Sequence, residues 1–275
     1  MDGVDCLNGS GRLLLIEATL FAVFDVWPVE LLSAPLRRWG GIESMMSLIK
    51  NKTNNQKQPL GVMAYEHICR KIITLEYTPG QVLDEKELMA DLRMGRTPVR
   101  EALLRLAGDG WAESQPNRST IVPPITLQDT RAVFEAIRVL EVGIAELVVT
   151  QNTSSMLSRM AEVNAKLKAA RDSGDILGLV ETNHDFHLYF ARCSQNTYLI
   201  RALNEVRNQA KRLSYLSYAN EIEPERSLQA HYSSVVTEHD KIMVYLKERN
   251  ESKLKETIIQ HINTFQERII RYISS

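Results

Sequence analysis

The stretch Arg96-Thr-Pro-Val-Arg-Glu-Ala-Leu-Leu-Arg-Leu-Ala-Gly-Asp-Gly110 decides the fold of this 275-residue chain. Thr97 followed by Pro98 predicts the start of a helix, because threonine is a good N-cap and proline fits the first helical position. Apolar residues then recur at helical spacing, which predicts an amphipathic helix that ends at the two glycines. The predicted apolar face consists of Val99, Leu103, Leu104 and Leu106.

Two more helices are predicted directly before this stretch. The first is amphipathic and ends before the turn residues Thr78-Pro-Gly80. The second begins at Asp84, an N-cap with a capping-box partner in Glu87. A short turn through Gly95 joins it to the third helix, and two short helices joined by a tight glycine-containing turn form a helix-turn-helix.

A β-wing is predicted after the third helix. Residues 111–122 contain two short strand-like segments around a turn from Pro116 to Ser119. Such a hairpin would place three polar residues near the minor groove or the backbone of a DNA duplex. These residues are Asn117, Arg118 and Ser119.

The third helix begins with basic residues that suit DNA. Arg96, Thr97 and Arg100 lie at its N-terminal end, which a helix-turn-helix presents to the major groove. Arg96 and Arg100 are four residues apart and project to the same side. Arginine there can contact guanine O6/N7 or phosphate. The alternative is that these arginines form the solvated face of an ordinary helix.

Composition limits the classes of protein to consider. Lys and Arg number 33 against 34 Asp and Glu, so the net charge of −1 argues against a polyanion-coating protein but leaves room for a local basic patch. The cysteines Cys6, Cys69 and Cys193 are odd in number and far apart, which excludes a disulfide framework and a CxxC site. This cysteine usage favours the cytoplasm.

The first 58 residues differ from the rest. Their apolar run from Leu13 to Leu32 contains Glu17 and Asp25, and acids within a spanning helix argue against a membrane segment. The polar run from 50 to 58 is typical of a linker. We interpret residues 1–58 as a disordered or non-native extension, with the functional chain beginning near Met45 or Met46.

Residues 84–122 closely resemble the winged helix-turn-helix of GntR-family bacterial transcription regulators. The run Arg-Thr-Pro-Val-Arg-Glu-Ala-Leu that starts at Arg96 is a specific signature of that family. The resemblance implies that Arg96 and Arg100 read or clamp DNA, that Lys86 contacts phosphate and that the wing tip contacts the minor groove. The family usually has glycine at the wing tip, where this chain has Ser119.

The remainder of the chain predicts an all-α bundle. Pro123-Pro124 separates a head, residues 59–124, from residues 125–275. A capping-box-like start at Thr126 is followed by apolar residues at helical spacing. Further helical segments without strand alternation follow at about 153–173, 175–193, 197–219, 228–248 and 252–273.

The placement of this bundle's histidines is compatible with a metal site. Asn183 and His187 share a helix face, whereas His184 points roughly 100° away. A turn at 249–251, with Ser252 as cap, would bring His239 and His261 level on facing helices, about 16 Å from the turn. These residues could form a metal site in the bundle core. Alternatively, they are hydrogen-bonded core histidines or level by coincidence.

Residues 126–270 look like the FCD ligand-binding domain of the FadR-type GntR subfamily. The resemblance implies a divalent metal ion, Zn, Ni or Mn, beside a carboxylate effector. Asn183 replaces the frequent aspartate and is a weaker, neutral ligand. Arg138 is the candidate partner of the effector carboxylate, unless it pairs with Glu135 or Glu141. The implied metal ligands are Asn183, His187, His239 and His261.

We therefore expect a homodimeric DNA-binding transcription regulator, most simply a repressor, on a pseudo-palindromic operator. A small organic acid in the metal-containing bundle would modulate its affinity for DNA. One alternative is a metal-dependent hydrolase-like enzyme that uses the histidines. It would leave the basic head unexplained, and no general-base motif accompanies it. Another is a helical interaction module with a purely structural metal.

Overall fold

The computed structural model describes residues 58–115, 119–223 and 225–274. Over these ranges the chain is mainly α-helical, with an N-terminal winged helix-turn-helix followed by a helical bundle, which confirms the predicted fold class. The predicted extension over residues 1–58, apart from Gln58, lies outside the described residues. The helices are α1 (Leu60–Ile73), α2 (Glu85–Leu92), α3 (Arg96–Gly108), α4 (Leu127–Val148), α5 (Ser154–Ser173), α6 (Ile176–Arg192), α7 (Thr197–Ala219), α8 (Leu228–Lys247) and α9 (Glu251–Ser274), and the strands are β1 (Glu113–Ser114) and β2 (Thr120–Ile121).

The helix-turn-helix forms largely as the sequence predicts. The Asp84 carboxylate caps α2 by accepting from the backbone N–H groups of Lys86 and Glu87. Arg93 ends α2 in the left-handed conformation, with φ 52°, and the chain then turns into α3. The predicted cap of α3 is wrong, because Gly95 is the N-cap and Thr97 lies in the first turn. Pro98 also lies in that turn, where backbone N–H groups have no helical partner to lose.

One residue of α3 does not lie where its hydrophobicity predicts. Val99, Leu103 and Leu106 are buried, but Leu104 is 75% exposed. Leu104 follows Leu103 by one residue, about 100° around the helix, and so lies beyond the buried stripe. The predicted apolar face is therefore correct for three of its four members.

The wing is a short antiparallel hairpin. Glu113 pairs with Ile121 and Ser114 with Thr120. An isolated bridge between Val82 and Ile121 ties the segment before α2 to this hairpin. The wing therefore has a fixed position beside the helix-turn-helix, while its turn at 116–118 falls outside the described residues.

Six helices, α4 to α9, form the bundle. Thr126 caps α4 by accepting from the backbone N–H of Asp129, as predicted. The cap of α9 is Asn250 instead of the predicted Ser252, since the Asn250 side chain accepts from the backbone N–H of Lys253. Arg249 makes the turn in the left-handed conformation, with φ 56°. None of the described helices is long and apolar enough to cross a membrane.

The head packs on the bundle of its own chain. Trp111 and the buried residues of α1 to α3 belong to the same apolar cluster as Leu179 of α6 and Tyr218 of α7. Two polar side chains of α7 add hydrogen bonds to the head. Gln209 donates to the backbone oxygen of Asp109 at 2.8 Å, and Arg212 donates to that of Pro123 at 2.7 Å.

Candidate DNA-binding face and histidine cluster

The helix residues predicted to bind DNA lie on the surface of the head. Lys86, Arg96, Thr97 and Arg100 are all exposed. The Arg100 Nε lies 2.9 Å from a carboxylate oxygen of Glu85, which places the start of α2, with Lys86, beside the first turns of α3. The structure thus brings the helix residues of the prediction to one face, called here the reading face: Lys86, Arg96, Thr97 and Arg100.

The ion pair of Arg100 with Glu85 does not block this face. The two side chains are 57% and 36% exposed. Exposed ion pairs are worth little because water solvates both partners, so a phosphate or guanine could replace the carboxylate. Of the predicted wing residues, Ser119 has a backbone oxygen that accepts from the N–H of Gln115. Asn117 and Arg118 lie outside the described residues.

Three histidines meet inside the bundle, and two of them, His239 and His261, are the pair that the helix spacing predicts to lie level. His187 of α6, His239 of α8 and His261 of α9 are 1%, 0% and 5% exposed. One ring nitrogen from each lies within 4.8 Å of the other two. The Nε2 atoms of His187 and His261 are 3.2 Å apart, close to the separation of about 3.3 Å that two imidazole ligands have on one zinc ion. His184 is not a member of this group.

The outer nitrogen of each ring already has an acceptor. The Nδ1 atom of His187 lies 3.0 Å from Glu141 Oε1, and that of His261 lies 2.6 Å from Glu238 Oε2. The Nδ1 atom of His239 lies 3.3 Å from Asn164 Oδ1. Asn164 is oriented in turn, because its amide nitrogen donates to Asp240.

These partners determine which nitrogen carries the proton. A carboxylate or amide oxygen only accepts, so each Nδ1 is the donor and each Nε2 is left with a lone pair. Two lone pairs then face each other at 3.2 Å between His187 and His261, and the buried Nε2 of His239 has no hydrogen-bond partner among the described residues. Such an arrangement is unfavourable unless a cation lies among the three nitrogens. The residues therefore fit a metal ion.

The pKa values support the same assignment. Burial, followed by the nearby charge of Arg207, lowers the pKa of His187 well below its ordinary value. Burial likewise lowers the pKa of His239 well below its ordinary value. Both rings are therefore neutral at physiological pH, which is the form that binds a metal.

Glu141 holds the cluster from behind. It is fully buried, its carboxylate contacts His187, and it accepts from the Nε of Arg207 at 2.6 Å. The sequence indicates Glu141 only as a possible partner of Arg138, and no sequence pattern points to Asn164. Glu238 stands next to His239 in the sequence, and that adjacency was the one available signal for an outer partner.

Asn183 borders the cluster with an unused oxygen. It is 4% exposed, and its buried Oδ1 has no hydrogen-bond partner in the part of the chain that the structure describes. Asn183 and His261 line the same small cavity. Its volume of about 10 Å³ has room for about one water molecule. A larger ligand therefore requires side chains to move. The other polar groups lining the cavity are Tyr218, His231, Ser234, Glu238 and Thr264.

Arg138 does not line this cavity. Its guanidinium donates to Asn263 and to Gln266, both on α9. The alternative that it pairs with Glu135 or Glu141 is wrong, since its partners are these two amides and Glu141 is paired with Arg207. Its role toward an effector stays a prediction.

Comparisons with known proteins identify both parts of the chain. A family model described as bacterial regulatory proteins, gntR family, matches residues 60–122, and a model described as FCD domain matches residues 132–264. The HTH-type transcriptional repressor RspR of Escherichia coli is 22% identical over 215 residues, which cover 78% of this chain and 91% of the relative. The HTH-type regulator YdhC of Bacillus subtilis is 21% identical over 206 residues, 74% of this chain and 88% of the relative.

Solved structures share the fold. Escherichia coli McbR/YncC superposes with a TM-score of 0.64 at 21% identity, covering 79% of this chain and 99% of the other. A transcriptional regulator from Rhodococcus sp. superposes with a TM-score of 0.62 at 20% identity, covering 76% of this chain and 96% of the other. The two sequence relatives carry the names of transcription regulators, in agreement with the prediction that this chain is not an enzyme.

Proposed function

We propose that this chain, which belongs to the gntR family of bacterial regulatory proteins and carries an FCD domain, is a repressor controlled by a small organic acid. As a member of this family it is a DNA-binding transcription regulator. The acid would bind beside a metal ion in the bundle and change the affinity of the head for its operator. One observation carries this proposal: three buried imidazoles present unprotonated nitrogens to one point, in a bundle that packs directly on the reading face's own domain.

The reading face supplies the DNA contacts. The first turn of α3, with Arg96, Thr97 and Arg100, would enter the major groove, while Lys86 contacts phosphate. The wing, with Asn117, Arg118 and Ser119, would lie along the minor groove or the backbone. A homodimer would place two such heads on half-sites one helical turn apart, about 34–36 Å, on a pseudo-palindromic operator.

The metal would be held by His187, His239 and His261, with Asn183 as a fourth, weaker ligand. Zn, Ni and Mn all accept imidazole with an oxygen ligand. The ion would supply an electrophilic centre for the carboxylate of the effector. Arg138 could contribute a bidentate contact to that carboxylate only by exchanging its bonds to Asn263 and Gln266.

Helix α7 connects the two sites. Its Arg207 donates to Glu141, which contacts His187, while its Gln209 and Arg212 donate to backbone oxygens of the head. Asp109, the acceptor of Gln209, is the residue that directly follows α3. A shift of α7 on metal or effector binding would therefore move the end of the DNA-reading helix. Allosteric control requires such a link, because the effector must favour one arrangement of the head over another.

Operator binding tests the proposal. Gel shifts of the full chain with promoter DNA from its own gene neighbourhood should show a specific complex, and one or more small carboxylates should change its stability. We expect Arg100→Ala to weaken specific binding by about 1–3 kcal/mol. Arg159→Ala is the matched control, because Arg159 is an exposed, ion-paired arginine on the bundle.

Two results would count against the proposal. If Arg100→Ala bound the operator as tightly as the control variant, α3 would not read DNA as described. If no small carboxylate shifted the melting temperature of the metal-loaded protein, the metal would be structural and the bundle would be an interaction module.

A further inference from the structure

Leu104 is an exposed apolar side chain of the DNA-reading helix, α3. It is 75% exposed, whereas Val99 and Leu106 of the same helix are fully buried. Single exposed leucines are ordinary on protein surfaces and need no explanation by themselves. What makes Leu104 informative is its position relative to the reading face.

Leu104 continues the row of side chains that begins with Thr97. Leu104 follows Thr97 by seven residues, which is about 20° short of two full turns. It therefore lies on the same side of the helix as Thr97, two turns further along, and Arg100 lies beside both. The recognition helix of homeodomains, a variant of the helix-turn-helix, reads the major groove with side chains at positions i, i+3, i+4 and i+7. Thr97, Arg100 and Leu104 occupy positions i, i+3 and i+7 of the same pattern. The remaining position, Glu101, turns toward α1, since its carboxylate oxygen lies 2.6 Å from where a Cβ on Gly61 would stand.

The chemistry of this row favours one base for Leu104. In the major groove, thymine carries a methyl group, and apolar side chains recognise it by contact. Arg100 and Leu104 are four residues apart, about 6 Å along the helix axis, which corresponds to about two steps of the duplex. An arginine contact to guanine would therefore place Leu104 over a base pair one or two steps away.

We propose that Leu104 determines part of the operator sequence by packing on the methyl group of a thymine in each half-site. The thymine lies one or two base pairs from the base contacted by Arg100. This inference rests on the proposed function, because it requires α3 to enter the major groove. It goes beyond it by naming a specificity-determining residue and the chemical group it recognises.

Replacing thymine by deoxyuridine provides the test, because this change removes only the methyl group. Operators are first selected from a random-sequence duplex pool with the full chain. Each thymine of a half-site is then replaced in turn by deoxyuridine, and affinities are measured by gel shift or fluorescence anisotropy. We expect one position per half-site at which the wild type loses about fourfold in affinity, the value of burying one methyl group.

Two variants complete the experiment. Leu104→Ala should bind the thymine and deoxyuridine duplexes equally at that position. Val139→Ala should retain the fourfold difference, since Val139 is a 68% exposed apolar residue of the bundle. Thermal melting of both variants should match the wild type, because neither side chain is buried.

The outcomes separate the inference from the function on which it rests. If the wild type selects no sequence over random DNA, specific operator binding fails and the inference fails with it. If an operator is selected but no deoxyuridine position weakens binding, the inference is overturned while operator binding stands. The inference is equally overturned if Leu104→Ala retains the difference.

Discussion

The reading face and the histidine cluster place polar groups in opposite environments. Arg100 and its partner Glu85 are 57% and 36% exposed, so solvent screens them and the pair can be exchanged for DNA. The histidines of the cluster are at most 5% exposed, and each has its outer nitrogen fixed by an acceptor before any ligand arrives. Substitutions on the reading face should therefore alter binding alone, whereas substitutions in the cluster should alter both folding and binding.

The largest effect is expected at Glu141. Glu141→Gln leaves the buried guanidinium of Arg207 without its counter-charge, and removing one partner of a buried pair costs about 3–5 kcal/mol of unfolding free energy. Metal affinity should also fall about 10–100-fold, because the acceptor that orients His187 is weakened. Chemical denaturation and metal titration measure the two effects.

Glu146→Gln is the matched control for this substitution. Glu146 is an acid on the same helix, 56% exposed and paired with Lys255. Its loss should change the unfolding free energy by less than about 0.5 kcal/mol. Equal destabilisation by both variants would contradict the contrast between buried and exposed pairs.

Removing one ligand should affect mainly metal binding, with a smaller total change in free energy than the loss of the buried Glu141 charge. His239→Ala should lower the affinity for Zn²⁺ by about 100-fold or more, exceeding the loss expected for an outer partner. Metal content after dialysis and calorimetric titration check this. His67→Ala removes an exposed histidine of the head and should leave the metal content and the affinity for Zn²⁺ unchanged. Full retention of metal by His239→Ala would exclude the three-histidine site.

The sequence predicts those parts of the molecule that depend on local pattern. Capping residues located α2 at Asp84 and α4 at Thr126, because a cap is satisfied within its own first turn. Counting residues from the turn at Asn250 placed His239 and His261 together, because the rise of a helix is constant. The cap of α3 was predicted two residues too late, at Thr97, because Gly95 caps the helix without the side-chain hydrogen bond by which a sequence pattern identifies a cap.

What depends on packing between distant helices could not be predicted. Asn164 contacts His239 from another helix, 75 residues away, and no spacing rule connects them. The pairing of Glu141 with Arg207 instead of Arg138 depends on which face of α7 meets α4. The exposure of Leu104 likewise depends on where α1 and α2 cover α3, and its hydrophobicity alone gave the wrong answer.

A third prediction concerns pH. Burial lowers the pKa of His184 and of His231 to about 3, while the unfolded chain titrates near 6.5. Below pH 6.5 the unfolded state therefore binds more protons, and stability falls as the pH decreases. Each of these histidines should lower the free energy of unfolding by about 2 kcal/mol at pH 5 relative to pH 7.

Denaturation at pH 7 and pH 5 measures this loss. His184→Gln should reduce the difference in unfolding free energy between pH 7 and pH 5 by the contribution of one histidine. His67→Gln, at an exposed site, should leave this difference unchanged. The comparison uses differences within each variant, so any change in overall stability cancels. An unchanged pH dependence in His184→Gln would mean that folding does not lower the pKa of His184.

The smallest effect returns to the reading face. Lys86 is exposed beside Arg100, and a phosphate contact releases about one counterion when the complex forms. Lys86→Ala should therefore weaken binding to all sequences alike and reduce the slope of log affinity against log salt by about 1. Lys166→Ala, at an exposed position of the bundle, should leave the slope unchanged. Because the slope counts phosphates and not bases, a change confined to the selected operator would show that Lys86 reads sequence, and the division of labour between α2 and α3 would have to be revised.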